Sequence, residues 1–422
     1  IYTGTVVSEE PDIEVIFSEN KDLTADVVLG KKVTWKSYSS NNSSGQPSIN
    51  EPSVSIVETD GNFNLLSNGT ITCTNSTIGE TWTLGGKIYT AVSNQNLSDK
   101  IGSNDIAYYE SACTSLVSDM NLANSTSWGV FNTLNGDANI SHWDTSNVVD
   151  MSWLFRNSFF NSPIASWNTS SVINMKGTFN NAGFFNQPLD SWDTSNVQDM
   201  SFMFGGVATS FNQPIGSWDT SNVQNMSHMF LYSKNFNQPL SSWNTSSVQN
   251  MEQMFHRASK FNQPLTFNTA SVTNMKEMFL NATSFNQPVV FDTKSVTNMF
   301  KMFESASSFN QPLNFNSSSV TNMSGMFAHA SSFNQPLVLD TSSVTNMLTM
   351  FLGASSFNQP LSFNTSSVTD MTGMFAVATI FNQDLSDWCV SNISSKPNGF
   401  DADSGLLGQT AKQPVWGTCP SN

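Results

Sequence analysis

Ten near-identical segments between about residues 140 and 388 constrain this chain more than any other feature. Each carries Val-x-x-Met, a Phe three or four residues later, then in most cases Phe-Asn-Gln-Pro and a Trp or Phe. The anchors run from Val148/Met151 through Val172/Met175 and Val197/Met200 to Val368/Met371, at spacings of 24 to 26 residues. A fixed period in this range predicts a stack in which each unit buries its apolar face only against its neighbours. Such a chain presents rows of like residues, whereas catalysis needs unlike residues gathered at one point. The fold class expected is an α/β repeat solenoid with one short strand and one short helix per coil, preceded by a small β-rich domain.

Within one unit, Val320, Met323, Met326 and Phe327 fall on one face of a short helix. Ser319 is its expected N-cap, and Asn322 is placed to reach back in a capping box. Pro336 ends helical options. Leu337 and Leu339 then alternate as a short strand, and Asp340-Thr341-Ser342 supplies a turn. The strand position holds Trp143, Trp167, Trp192, Trp218 and Trp243, then Phe267, Phe291, Phe315, Leu339 and Phe363, before Trp388. From Phe267 to Phe363 the strand segment is one residue shorter, which predicts a change of cross-section there. The repeated Asn of the Phe-Asn-Gln motif, from Asn186 to Asn382, is expected to satisfy turn backbone of successive coils. The alternative is an outward row that binds ligand.

Four regions are expected. Residues 1–92 read as a β-rich, sandwich-like domain, with alternating runs at Glu14–Phe17, Lys32–Trp35, Ser53–Val57 and Thr70–Cys73. Residues 1–10 form an extended arm before Pro11, and Ile1, Tyr2, Val6 and Val7 are its candidate assembly residues. Residues 93–139 form an N-terminal cap in which Val117 and Met120 repeat the anchor once more. The solenoid occupies 140–388, and 389–422 form a disulfide-stapled C-terminal cap.

Charged residues are only 11% of the chain, and the net charge is −16. With few bases and no basic stripe, the composition excludes nucleic acid and anionic membrane surfaces as partners. No apolar run is long enough to span a bilayer, so membrane insertion is not expected. The chain begins at Ile1 and is expected to be a mature product whose secretion signal has been removed. Four cysteines allow three pairings. The local pairing, Cys73–Cys113 with Cys389–Cys419, is the one that staples each end of the array separately, and it implies an oxidising, extracellular compartment. The alternative is four buried thiols.

The segment Phe-Asn-Gln-Pro-Leu-Ser-Ser-Trp-Asn-Thr-Ser-Ser-Val-Gln-Asn-Met-Glu-Gln-Met-Phe (236–255) resembles the repeat of BspA-like leucine-rich-repeat surface proteins, a bacterial type of about 25 residues also found in Mycoplasma lipoproteins. The resemblance covers roughly residues 110–420. Trp388–Ile393 and Pro414–Pro420 resemble the C-terminal region of such proteins. The family implies a leucine-rich-repeat-like right-handed solenoid, a surface or secreted location and roles in adhesion. Here Met and Phe occupy many positions where leucine is expected.

No catalytic constellation stands out. His142, His228, His256 and His329 sit at unrelated registers, and His228 reads as a helix-surface residue. No enzymatic activity and no cofactor or metal is expected. The Asp/Asn row after the strand, including Asp144, Asp193, Asp219 and Asp340, is the best calcium candidate, but turn formation explains it equally. Sequons at Asn168, Asn244, Asn316 and Asn364 share one register and would give a glycan row. The function expected is an extracellular structural protein that self-associates into a filament or surface layer, its partner being itself. The alternative is a monomeric adhesin binding a glycan or a surface protein along the solenoid face.

Overall fold

The computed structural model describes residues 2–6, 13–17, 56–100, 105–121, 138–206 and 210–420, the first two segments by their backbone. Strand β1 (Tyr2–Val6) pairs antiparallel with β2 (Ile13–Phe17) as a two-stranded sheet. The expected strand at 32–35 lies outside the described residues. Strands β3 (Ile56–Asp60), β4 (Phe63–Leu66) and β5 (Ile71–Thr72) form one antiparallel sheet. A second contains β6 (Thr81–Leu84), β7 (Lys87–Ala91) and β8 (Ala112–Cys113), with β7 and β8 parallel. Phe63, Ile71, Leu84 and Ala91 pack a small core around the Cys73–Cys113 disulfide.

Two short helices, α1 (Asn94–Asp99) and α2 (Ile106–Ser111), lead to the array. Ser93 and Asn96 form a complete capping box at α1. Asn94 Oδ1 accepts the N–H groups of Ser118 (3.0 Å) and Asp119 (3.4 Å), which closes the N-terminal end of the backbone ladder. His142 Nε2 lies 3.0 Å from the Ala112 carbonyl oxygen, and its ring packs 5.4 Å from that of Tyr89. Burial pushes its pKa down to about 4 and keeps the ring neutral.

From Asp119 onward, parallel bridges join equivalent residues of successive repeats, Asp150 to Asn174 to Asp199 and on to Asp370. The helix expected in each repeat is absent among the described residues. Met323, Gly325, Phe327 and His329 instead donate their N–H groups to Asn346, Leu348, Met350 and Leu352 of the next repeat. The alternate residues Met326, Ala328 and Ala330 donate within their own repeat, three residues back. Past its first turn, a helix bonds its N–H groups internally. This segment divides them evenly, which requires left-handed backbone at Gly325 (φ 63°) and His329 (φ 56°). Val320, Met323, Met326 and Phe327 are fully buried nonetheless, because the overlapping turns point the same side chains inward. Asn322 Oδ1 does not reach back toward Ser319; it accepts the N–H of Ser324, two residues ahead, at 2.9 Å.

The other side of each repeat is held by side chains. Each Asn of Phe-Asn-Gln-Pro accepts the backbone N–H of the next through its Oδ1, so Asn212, Asn237, Asn262 and Asn286 form one ladder at 2.9 Å per step. Buried hydroxyls run a second, with Thr169, Thr194 and Thr220 donating to the carbonyls of Asp193, Asp219 and Asn244. The Trp row lies in the core. Indole Nε1 of Trp192, Trp218 and Trp243 donates to the preceding repeat's Ile164, Leu189 and Ile215 carbonyls at 2.8–3.1 Å. Phenylalanine has no such donor. Where it replaces Trp, backbone bridges link Leu265, Val289, Leu313 and Leu337 instead. Two columns of stacked Phe rings fill the centre, for example Phe255 on Phe279 and Phe261 on Phe285, with centroids 5.6 and 6.1 Å apart.

Phe400 and Leu406 cover the last repeat, and Phe375 donates its N–H to Phe400 as if to a further repeat. Lys412 Nζ ends the asparagine ladder on Asn382, and the Cys389–Cys419 disulfide closes the segment.

Asn262→Ala removes the acceptor of the Asn286 N–H and of Gln287 Nε2. The expected cost is about 1–3 kcal/mol in urea unfolding. Asn262→Asp, which keeps an acceptor, is expected to lose less. A second expectation concerns pH. Because the folded state lowers the His142 pKa from 6.5 to about 4, its contribution is intact above 6.5 and is lost as pH falls toward 4. His142→Gln should show a smaller drop in urea midpoint than the parent between pH 7 and pH 4.5.

Candidate interaction face

The repeat fixes the residues that fill the core or bond to a neighbour, and leaves others to vary. Two variable positions follow each anchor, two and six residues after the Met, and both hold left-handed backbone throughout the array. Gly177, Gly325 and Gly373, or Asn157, Asn181 and Asn281, fill some of them at little steric cost. Others hold Trp153, Phe202, His228, Tyr232, Arg257, Thr349 and Val377, whose side chains make that backbone costly. Strained residues held where glycine would do mark positions kept for their side chains.

The chemistry gathers on the same face. Arg156 and Arg257 are the chain's only arginines, and His228, His256 and His329 are three of its four histidines. The Trp153 ring lies over Gly177, where a Cβ would come within 2.2 Å of it, and so meets Phe202 at 6.0 Å two repeats away. Phe202 stacks on His228 at 4.2 Å. Arg156 lies 5.0 Å from the Trp153 ring, and Arg257 4.8 Å from Tyr232, which also stacks on His256. His228 is thus a half-buried ring in an aromatic stack, and the expected helix surface does not exist.

Burial lowers the pKa of His228, and of His256 to about 4, so both are neutral at pH 7. Their buried Nδ1 atoms have no hydrogen-bond partner among the described residues. Glu277 Oε2 stands 3.7 Å from His256 Nδ1 but takes its short bond, 2.6 Å, from Gln253. Next come charge pairs: Lys276 with Glu252 at 3.0 Å, and Lys301 with Glu304 at 3.1 Å. The bond to Glu252 raises the Lys276 pKa. Arg156, Lys176 and Arg257 have no carboxylate partner among the described residues.

The face therefore offers rings, donors and cations, in a composition typical of protein contact sites. The sequence signal for it was a pair of columns in which Gly and Asn recur among bulky residues. The other sequence candidates lie elsewhere. Asn168, Asn244, Asn316 and Asn364 are exposed, and each accepts the N–H two residues ahead. The Asp/Asn row closes its own turns in the same way, as Asp193 and Asp219 do with Ser195 and Ser221. No cluster of three or more His, Cys, Asp or Glu is placed to hold a metal ion among the described residues. Tyr2 and Val6 lie in β1, whereas Ile1 and Val7 fall outside the described residues.

A stack of bonded repeats stapled by two disulfides defines a repeat protein, and no helix among the described residues is long and apolar enough to cross a membrane. A family model described as Mycoplasma protein of unknown function, DUF285, matches residues 125–230, 199–288, 265–339 and 338–407, and the chain belongs to that family. No curated protein and no solved structure matches it.

Val377, at φ 58° and 46% exposed, is strained without being packed. Val377→Gly is expected to raise stability by about 1 kcal/mol in urea unfolding. Gly353→Val should lower it, since a Cβ there would meet His329 Nδ1 at 2.5 Å.

Proposed function

We propose that this chain is a non-enzymatic extracellular repeat protein of BspA-like type, a leucine-rich-repeat-like solenoid that self-associates into a filament or surface layer. One observation carries the reading: an acidic chain keeps three cations with no carboxylate partner among the described residues, and a set of strained bulky residues, on one face. Such a face is costly in a monomer and is offset by a partner. The two disulfides accord with an oxidising location. Strand β1 is bonded on one edge by β2. Among the described residues this sheet has two strands, and a sheet of that size is marginal in water, so the arm of residues 1–10 is a second place where a neighbour adds a strand.

The second reading is an adhesin that binds a glycan or protein along the same face. The half-buried rings of Trp153, Phe202 and Tyr232 favour it.

Sedimentation velocity of the full chain over a range of concentrations, with electron microscopy of the same samples, separates the two. Species growing with concentration beyond one 46.2 kDa chain, seen as regular filaments or sheets, support self-association. A single chain at every concentration overturns it in favour of the adhesin.

A further inference from the structure

We propose that the part of the face carrying Arg156 and Lys176 docks on the acidic edge of a second copy, formed by Asp190, Asp193 and Asp219. This rests on the self-association reading and assigns its lateral contact. Arg156 and Lys176 sit on adjacent repeats, and neither has a carboxylate partner among the described residues. Asp190 and Asp193 flank Trp192, and Asp219 follows Trp218 one repeat on. All three are exposed, and no cation pairs with them among the described residues. The hydroxyl and N–H of Ser221 hold the Asp219 carboxyl below the usual range, so it is ionised at neutral pH.

The argument for a second copy is charge complementarity. The cations ride on repeats joined by the Asp150–Asn174 bridge, and the carboxylates on repeats joined by the Asp199–Asn225 bridge. Asp193 and Asp219 stand at equivalent positions one repeat apart, whereas Arg156 stands five residues after Met151 and Lys176 one residue after Met175. A second copy carries both surfaces, so the cations of one chain meet the carboxylates of the next. Trp153 and Phe202 border the cations and supply apolar area next to the charges. The two surfaces lie on different stretches of the repeat, one beside the central Phe turns and the other beside the Trp. Their contact is heterologous, and such contacts extend without closing unless a rotation forms a ring.

The test is a charge exchange on the full chain, read by sedimentation velocity, with circular dichroism to check folding. Arg156→Asp with Lys176→Asp, and separately Asp193→Lys with Asp219→Lys, should each weaken self-association at least about tenfold. An equimolar mixture of the two should restore it, because each variant then supplies the surface its partner lacks. The single variant Lys176→Glu, at a site with no packed partner ring, should weaken assembly in the same direction if Arg156→Asp disturbs folding. Folded variants that assemble as the parent does, or a mixture that restores nothing, overturn this contact and leave self-association standing. A parent that stays a single chain overturns the underlying reading as well.

Discussion

The division of backbone N–H groups between repeats is the constraint on which the rest depends. After each anchor Met, every second N–H is given to the next repeat, and those between close turns at home. No repeat can satisfy its own backbone, so none is stable alone. The even division forces a left-handed residue two and six positions after every anchor. It also leaves the opposite side of the repeat to side chains, and there asparagine amides, threonine hydroxyls and tryptophan indoles take over. These bonds are neutral, which is why a chain with only 11% charged residues can hold its repeats together.

The same constraint separates the residues that must recur from those that need not. Val, Met and Phe recur because they are buried at every repeat, and Asn and Thr recur because their side chains bond across the joint. The left-handed positions are fixed in backbone and open in side chain. Strain and chemistry therefore meet there, in Trp153, Phe202, His228 and Arg257. A burden of this kind would be removed by glycine at each position, as the array itself does at Gly177 and Gly373.

Much of the architecture was legible in the sequence. The period set the stacking, and the spacing of Val320, Met323, Met326 and Phe327 identified the buried side chains. The element type was not legible, because that spacing is met equally by a helix and by overlapping turns that trade hydrogen bonds with a neighbour. Only knowledge of where each N–H goes distinguishes them. Asn322 was misassigned for the same reason: without a helix there is no N-cap to reach back to. The change from Trp243 to Phe267 was visible as a shorter segment, but its cause, an indole donor replaced by a backbone bridge, needed three dimensions. The interaction face was the least legible part, since its residues share a backbone conformation and no side-chain type.

The two sides of the array donate in opposite senses. On the turn side, N–H groups such as those of Phe255 and Phe279 point to the following repeat. On the asparagine and tryptophan side, Asn262 N–H and Trp243 Nε1–H point to the preceding one. Peptide dipoles aligned head to tail sum along an α-helix to a charge at each end. Here the asparagine and tryptophan donors oppose the turn-side rows and offset part of that sum. The field that builds along the axis as repeats are added is therefore smaller than the turn-side rows alone would give.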